Sequence, residues 1–149
     1  MSGAVTGACP ATLTQEDPML VYLSGPMTGL PGYNTPEFHR CTARLRELGF
    51  DVLNPAETAG GATHLPRATY MYIDVAYVQA ADAVVVMDGW RSSKGAKLEM
   101  IVAAAHGKRV WTYDDEVGLG YELEVDGWDV HVIPGRRSFL SLPAQEVHS

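Results

Sequence analysis

Met19–Leu23 (MLVYL) and Ala83–Met87 (AVVVM) are short apolar runs without polar alternation. A strand with one face in water alternates. A run that is apolar at every position is buried on both faces, as in a parallel sheet covered by helices. Segments of helical spacing separate these runs. Thr35 caps a predicted helix with Pro36 at its first position, Phe38, Leu45 and Leu48 on its apolar side, and Gly49 at its end. Phe50–Leu53 reads as a second strand. A second helix is predicted from about Pro66 to Ala81, with Tyr70, Ile73, Ala76, Tyr77 and Ala80 at helical spacing. A third runs from Ser93 to His106, closed by Gly107, with Leu98, Val102 and Ala105 as its core face; Arg109–Tyr113 is a fourth strand. This β-α-β-α-β-α-β order predicts an α/β fold: a doubly wound, Rossmann-like or flavodoxin-like, mostly parallel sheet with flanking helices.

The segment that follows has a different pattern. YELEVDGWDVHVIP holds two alternating runs around Asp126-Gly127, the signal of a C-terminal β-hairpin with strands near Tyr121–Val125 and Trp128–Ile133. The hairpin either extends the sheet edge or packs on a partner subunit. Residues 1–18 are polar and Gly/Ala/Thr-rich and are expected to form a flexible leader; 19–134 form a single domain and 135–149 a loose tail. The net charge of −7, from 11 basic and 18 acidic side chains, argues against binding a nucleic acid polymer through bulk charge. It leaves room for a small anion held by backbone amides. No apolar run has the length of a membrane span. Cys9 and Cys41 stand far apart in unlike contexts and read as free thiols of a reducing, cytoplasmic compartment. His39, His64 and His106 have no ligand-like spacing among themselves or with Cys41, so no metal site is expected.

In a doubly wound sheet the ligand lies beyond the carboxyl ends of the strands. The loops Ser24–Asn34 and Asp88–Ser93 both leave such ends and share a rim. In the first, Gly25, Gly29 and Gly32 fit neither the P-loop nor the dinucleotide fingerprint. Bare N–H groups there suit an anion; an ordinary turn-making loop is the alternative. Asp74 sits among Met71, Ile73, Val75 and Tyr77. It is either a helix-surface carboxylate or a group leaning toward the rim, since its helix feeds the strand that ends at Asp88. Asp82, at the helix-to-strand junction, suits a structural role. In DGWRSSKGAKLEM (Asp88–Met100), Ser93 is placed as an N-cap, and a helix start is also an anion site. Gly95 and Ala96 are small enough to let a ligand approach. Glu99 lies about a turn and a half inside a largely apolar helix, where a carboxylate is costly unless paired or used. Catalysis and an ion pair with Lys94 or Lys97 both fit that spacing. Trp90 either stacks on a base or covers the sheet end.

VYLSGPMTG, NPAE (Asn54–Glu57), Asp74 and DGWRSSKGAKLEM, in this order between about Leu20 and Val110, resemble the nucleoside 2-deoxyribosyltransferase-like superfamily. Within it the chain is similar to a small bacterial and phage branch related to the nucleoside 5′-monophosphate N-glycosidases. The resemblance implies that Glu99 is a nucleophile for the anomeric carbon, that Tyr22 helps to hold its carboxylate, and that Asp74 contacts the base and assists its departure. It also implies a substrate-binding set of Ser24, Gly25, Pro26, Met27, Thr28 and Gly29 in the first loop, with Asp88, Trp90, Ser93 and Gly95 in the second. The place of Ser93 is held by an aspartate that binds a free 5′-hydroxyl in the deoxyribosyltransferases, and by a serine that binds a 5′-phosphate in the nucleotide N-glycosidases. A carboxylate repels a phosphate dianion; a serine at a helix start welcomes one. The expected activity is therefore hydrolysis of the N-glycosidic bond of a nucleoside 5′-monophosphate through a covalent glycosyl-enzyme. It requires no metal or organic cofactor, and a homodimer is the expected assembly. Base exchange by a deoxyribosyltransferase and a non-catalytic nucleotide sensor are the alternatives.

Overall fold

The structure is a computed structural model that describes residues 18–57 and 66–137. Residues 1–17 of the expected leader, the glycine pair Gly60-Gly61, residues 138–149 of the expected tail, Cys9 and His64 lie outside the described residues, while 135–137 of that tail belong to the last strand. The elements are β1 (Leu20–Ser24), α1 (Thr35–Glu47), β2 (Asp51–Leu53), α2 (Arg67–Ala80), β3 (Ala83–Val86), α3 (Lys94–Ala105), β4 (Arg109–Asp114), β5 (Gly118–Asp126) and β6 (Asp129–Arg137). Short 3₁₀ turns at Pro31–Asn34 and Trp90–Ser92 precede α1 and α3. One six-stranded sheet runs in the order β2-β1-β3-β4-β5-β6. β1 to β4 are parallel, and the β5–β6 hairpin is antiparallel. The doubly wound, mostly parallel architecture is as the apolar runs predict, and the hairpin extends the sheet edge.

Successive side chains of a strand point to opposite faces, and the core divides accordingly. Val21, Leu23, Val85 and Met87 pack with Phe38, Cys41 and Leu45 of α1 on one face. Tyr22, Val84 and Val86 pack with Val78 of α2 and Ala96, Met100 and Ala103 of α3 on the other. Ser24 has the parity of Tyr22, so both point toward α3. Asp82 joins α2 to β3 and accepts a hydrogen bond from the Leu20 N–H at 2.9 Å.

Several local details differ from the sequence expectation. Thr35 is the first residue of α1, and Asn34, left-handed at φ 61°, precedes it as the cap. On α2, Val78 is fully buried, whereas Ala76 and Ala80 are exposed. On α3 the buried stripe is Ala96, Glu99, Met100 and Ala103; Leu98 and Val102 are half-buried and Ala105 is exposed. Two alanines allow that side of α3 to sit close on the sheet, which bulkier residues would prevent. The hairpin pairs Asp126 with Asp129, so its turn is Gly127-Trp128, one residue beyond the expected place.

Gly118 opens β5 at φ +93°, and a Cβ there would lie 2.6 Å from Phe50 Cε2. A left-handed backbone and an overpacked core act together at this position. Gly118→Ala is expected to cost about 2–4 kcal/mol, read as a fall in the urea midpoint at unchanged m-value.

Candidate active site

The chain passes from β1 to β2 on one side and then to β3 on the other, so the strand order reverses between β1 and β3. The crevice at such a reversal is where open α/β sheets bind ligands. The loop after Ser24 and the turn after Val86 flank it. They touch at Gly89, where φ is +92° and a Cβ would stand 2.9 Å from Pro26 Cγ. Only glycine lets the two segments meet this closely.

Glu99 reaches this crevice from the second turn of α3. It is 7% exposed, and two hydroxyls hold it. Tyr22 Oη donates to Oε2 at 2.8 Å, and Ser24 Oγ donates to Oε1 at 2.6 Å. The parity of β1 delivers both donors to the same face. Asp74, on α2, stands beside them, and its Oδ1 is buried with no hydrogen-bond partner among the described residues.

Burial is the main influence on the ionisation of this group of side chains. It pushes Glu99 up to about 8; the negative charge of Asp74 adds to the rise, while the Ser24 and Tyr22 hydrogen bonds pull against it. Burial likewise raises Asp74 to about 6, opposed by its polar neighbours Glu99 and Tyr22. Tyr22 is raised well above the ordinary phenol range by burial and then by the charges of Glu99 and Asp74, so it remains a donor. Two neighbouring carboxyls in a dry crevice resist double ionisation. Near neutral pH the pair therefore holds one proton and one negative charge, and the larger rise puts the proton on Glu99, so a nucleophilic role for Glu99 requires that proton to pass to Asp74.

The sequence-derived candidates fall in different places. Glu99, Asp74, Tyr22 and Ser24 come together. Ser24 differs from its expected place among the ligand contacts: its side chain is fully buried, and its hydroxyl is bound to Glu99. The rim residues Thr28, Gly29 and Asp88 are exposed, and Gly25, Pro26 and Met27 are half-buried. Ser93 is the N-cap of α3, its Oγ accepting from the Ala96 N–H at 3.1 Å. A Cβ on the neighbouring Gly95 would meet nothing nearer than Ser93 Oγ at 4.0 Å. Trp90 is buried in the core beside α3 with the Arg91 guanidinium 4.4 Å from its ring centre, so it covers the sheet end. Asn54 of the NPAE stretch forms a local turn, its Oδ1 accepting from the Ala56 N–H at 2.8 Å. Glu99 is held by hydroxyls, not by Lys94 or Lys97.

Sequence reasoning missed the shape of the first loop. Gly32, Tyr33 and Asn34 are three consecutive left-handed residues, and the Asn34 side chain donates to the Pro26 carbonyl at 3.0 Å. Asparagine tolerates that conformation; tyrosine rarely adopts it. Such strain persists only where surrounding contacts enforce it.

A family model described as "Domain of unknown function (DUF4406)" matches residues 19–112. The chain belongs to the DUF4406 family. The matched span takes in Tyr22, Ser24, Asp74, Ser93 and Glu99; β5 and β6 follow it. No curated protein matches. Among solved structures the chain is similar to "2-desoxiribosyltransferase from Leishmania mexicana", with a TM-score of 0.50 and 20% identity, over 65% of this chain and 66% of that one. This DUF4406 chain thus spans just under two thirds of the length of that structure. The likeness to that structure, at 20% identity, is one of fold. No helix among the described residues is long and apolar enough to cross a membrane.

Proposed function

We propose that the protein hydrolyses the N-glycosidic bond of a nucleoside 5′-monophosphate with retention. The observation that carries this reading is the buried Glu99 carboxylate, gripped by Tyr22 and Ser24 and set beside Asp74. Retaining glycosyl transfer needs one carboxylate as nucleophile and a second group as acid and then base. Glu99 first passes its proton to Asp74, and the freed Glu99 oxygen bonds to C1′ as the C1′–N bond breaks. The bond's electron pair leaves with the base, which takes a proton from Asp74. Water then adds to C1′, gives a proton to Asp74 and frees Glu99. The products are free base and a sugar 5-phosphate. Every proton in this cycle is handled by Asp74 or water, and no cofactor takes part.

The phosphate preference rests on Ser93. The first turn of α3 carries no acidic residue, and its free N–H groups together with the serine hydroxyl suit a dianion. The 2-desoxiribosyltransferase that shares the fold keeps base exchange as the second reading, since a second base can intercept the same ester.

The test is chromatography of free base after incubation with ribo- and deoxyribonucleoside 5′-monophosphates and the matching nucleosides. Release from monophosphates alone is the expected result. Release from nucleosides alone would move the reading to a transferase pocket. Thermal stabilisation by nucleotides without any release would make the protein a sensor. Ser93→Asp gives a sharper check. Aspartate caps a helix as well as serine, so stability is expected to hold. Activity on monophosphates should fall about 100-fold or more from charge repulsion, with activity on any nucleoside substrate little changed.

A further inference from the structure

We infer that Ser24 is a positioning residue for Glu99: its hydroxyl clamps Oε1 while Tyr22 clamps Oε2, so the carboxylate is fixed at both oxygens. This deepens the proposed function and rests on it. The geometry leaves Ser24 little freedom. Its backbone is locked in the sheet, in register with Val86, and its carbonyl accepts from the Met87 N–H at 2.8 Å. Its side chain is fully buried and points to α3. The bond to Glu99 is 2.6 Å, the length of a charge-assisted O–H···O⁻ contact. A hydroxyl so placed does not meet a phosphate at the rim.

The clamp has two consequences. It stops the Glu99 carboxylate from rotating, so the attacking oxygen stays aligned with C1′; small misplacements of a nucleophile are costly in rate. It also stabilises the anion, working with Tyr22 against burial and against Asp74. A phosphate-binding serine would instead act on substrate affinity.

The experiment compares wild type, Ser24→Ala and Ser24→Cys. One arm is the pH dependence of kcat and KM for a nucleoside monophosphate. The other is a ¹³C NMR titration of the Glu99 carboxyl in labelled protein, which needs no turnover. Ser24→Ala is expected to lower kcat about 10- to 100-fold and to move the acidic limb of the profile, and the Glu99 titration, to higher pH. KM should change little, and Ser24→Cys, a weaker donor of similar size, should fall between. A raised KM with unmoved titration would overturn the inference in favour of phosphate binding. An unmoved titration with unchanged kcat would overturn it outright. If wild type releases no base, the proposed activity fails, yet the NMR arm still decides whether Ser24 holds Glu99. Ser24→Cys keeps that decision available should the alanine variant not fold.

Discussion

Glu99→Gln is expected to abolish base release, by about 10⁴-fold or more, while making the folded protein more stable at alkaline pH. The amide has the shape of the carboxylate but cannot form the glycosyl ester. It suits the site, because the hydroxyls of Tyr22 and Ser24 can rotate to accept from its NH₂ as readily as they donate to its oxygen. The stability gain follows from proton linkage. Glu99 is raised from its ordinary 4.5 to about 8 in the folded chain. Between those values the folded protein holds a proton that the unfolded chain has released. The contribution is therefore fully present below the ordinary value and is lost as pH rises through the folded one. Glutamine carries no charge to bury. At about pH 9 the variant should exceed wild type by on the order of 2 kcal/mol, and the gap should close toward about pH 5. Melting temperature across that range measures it. A variant with normal base release would remove Glu99 from the mechanism.

Asp74→Asn is expected to reduce kcat about 100- to 1000-fold for an ordinary base. Asparagine fills the same space but has no acidic proton to give the leaving nitrogen. The loss should shrink to under about 10-fold when an electron-withdrawing substituent lets the base leave unprotonated. An equal loss for good and poor leaving groups would show that Asp74 is not the acid. A second effect has the opposite sign to that of Ser24→Ala. The charge of Asp74 raises Glu99, so its removal should move the acidic limb of the profile to lower pH. The two substitutions therefore displace the same titration in opposite directions.

Much of this arrangement is legible in the sequence, because burial leaves a periodic mark. The unalternated runs of β1 and β3 predict a parallel sheet, and that sheet dictates where a ligand crevice opens. Glu99 and Asp74 stand out because each is a carboxylate in an apolar helix. The role of Ser24 is harder to read. At the junction of strand and loop it looks like the first residue of a glycine-rich turn. Its parity with Tyr22 is the only local sign that it faces Glu99. The buried face of α3 is misread for a related reason. Periodicity favours the large residues Leu98 and Val102, but close approach to the sheet selects Ala96 and Ala103. The left-handed Tyr33 leaves no mark at all, since nothing in its side chain prefers that conformation.

The most direct test of the central claim is the mass of the protein acid-quenched during turnover of a nucleoside monophosphate, followed by peptide mapping. One added (deoxy)ribosyl phosphate is expected on the peptide that contains Glu99, with no addition in Glu99→Gln. Base release with no adduct on that peptide, continuing in Glu99→Gln, would contradict it.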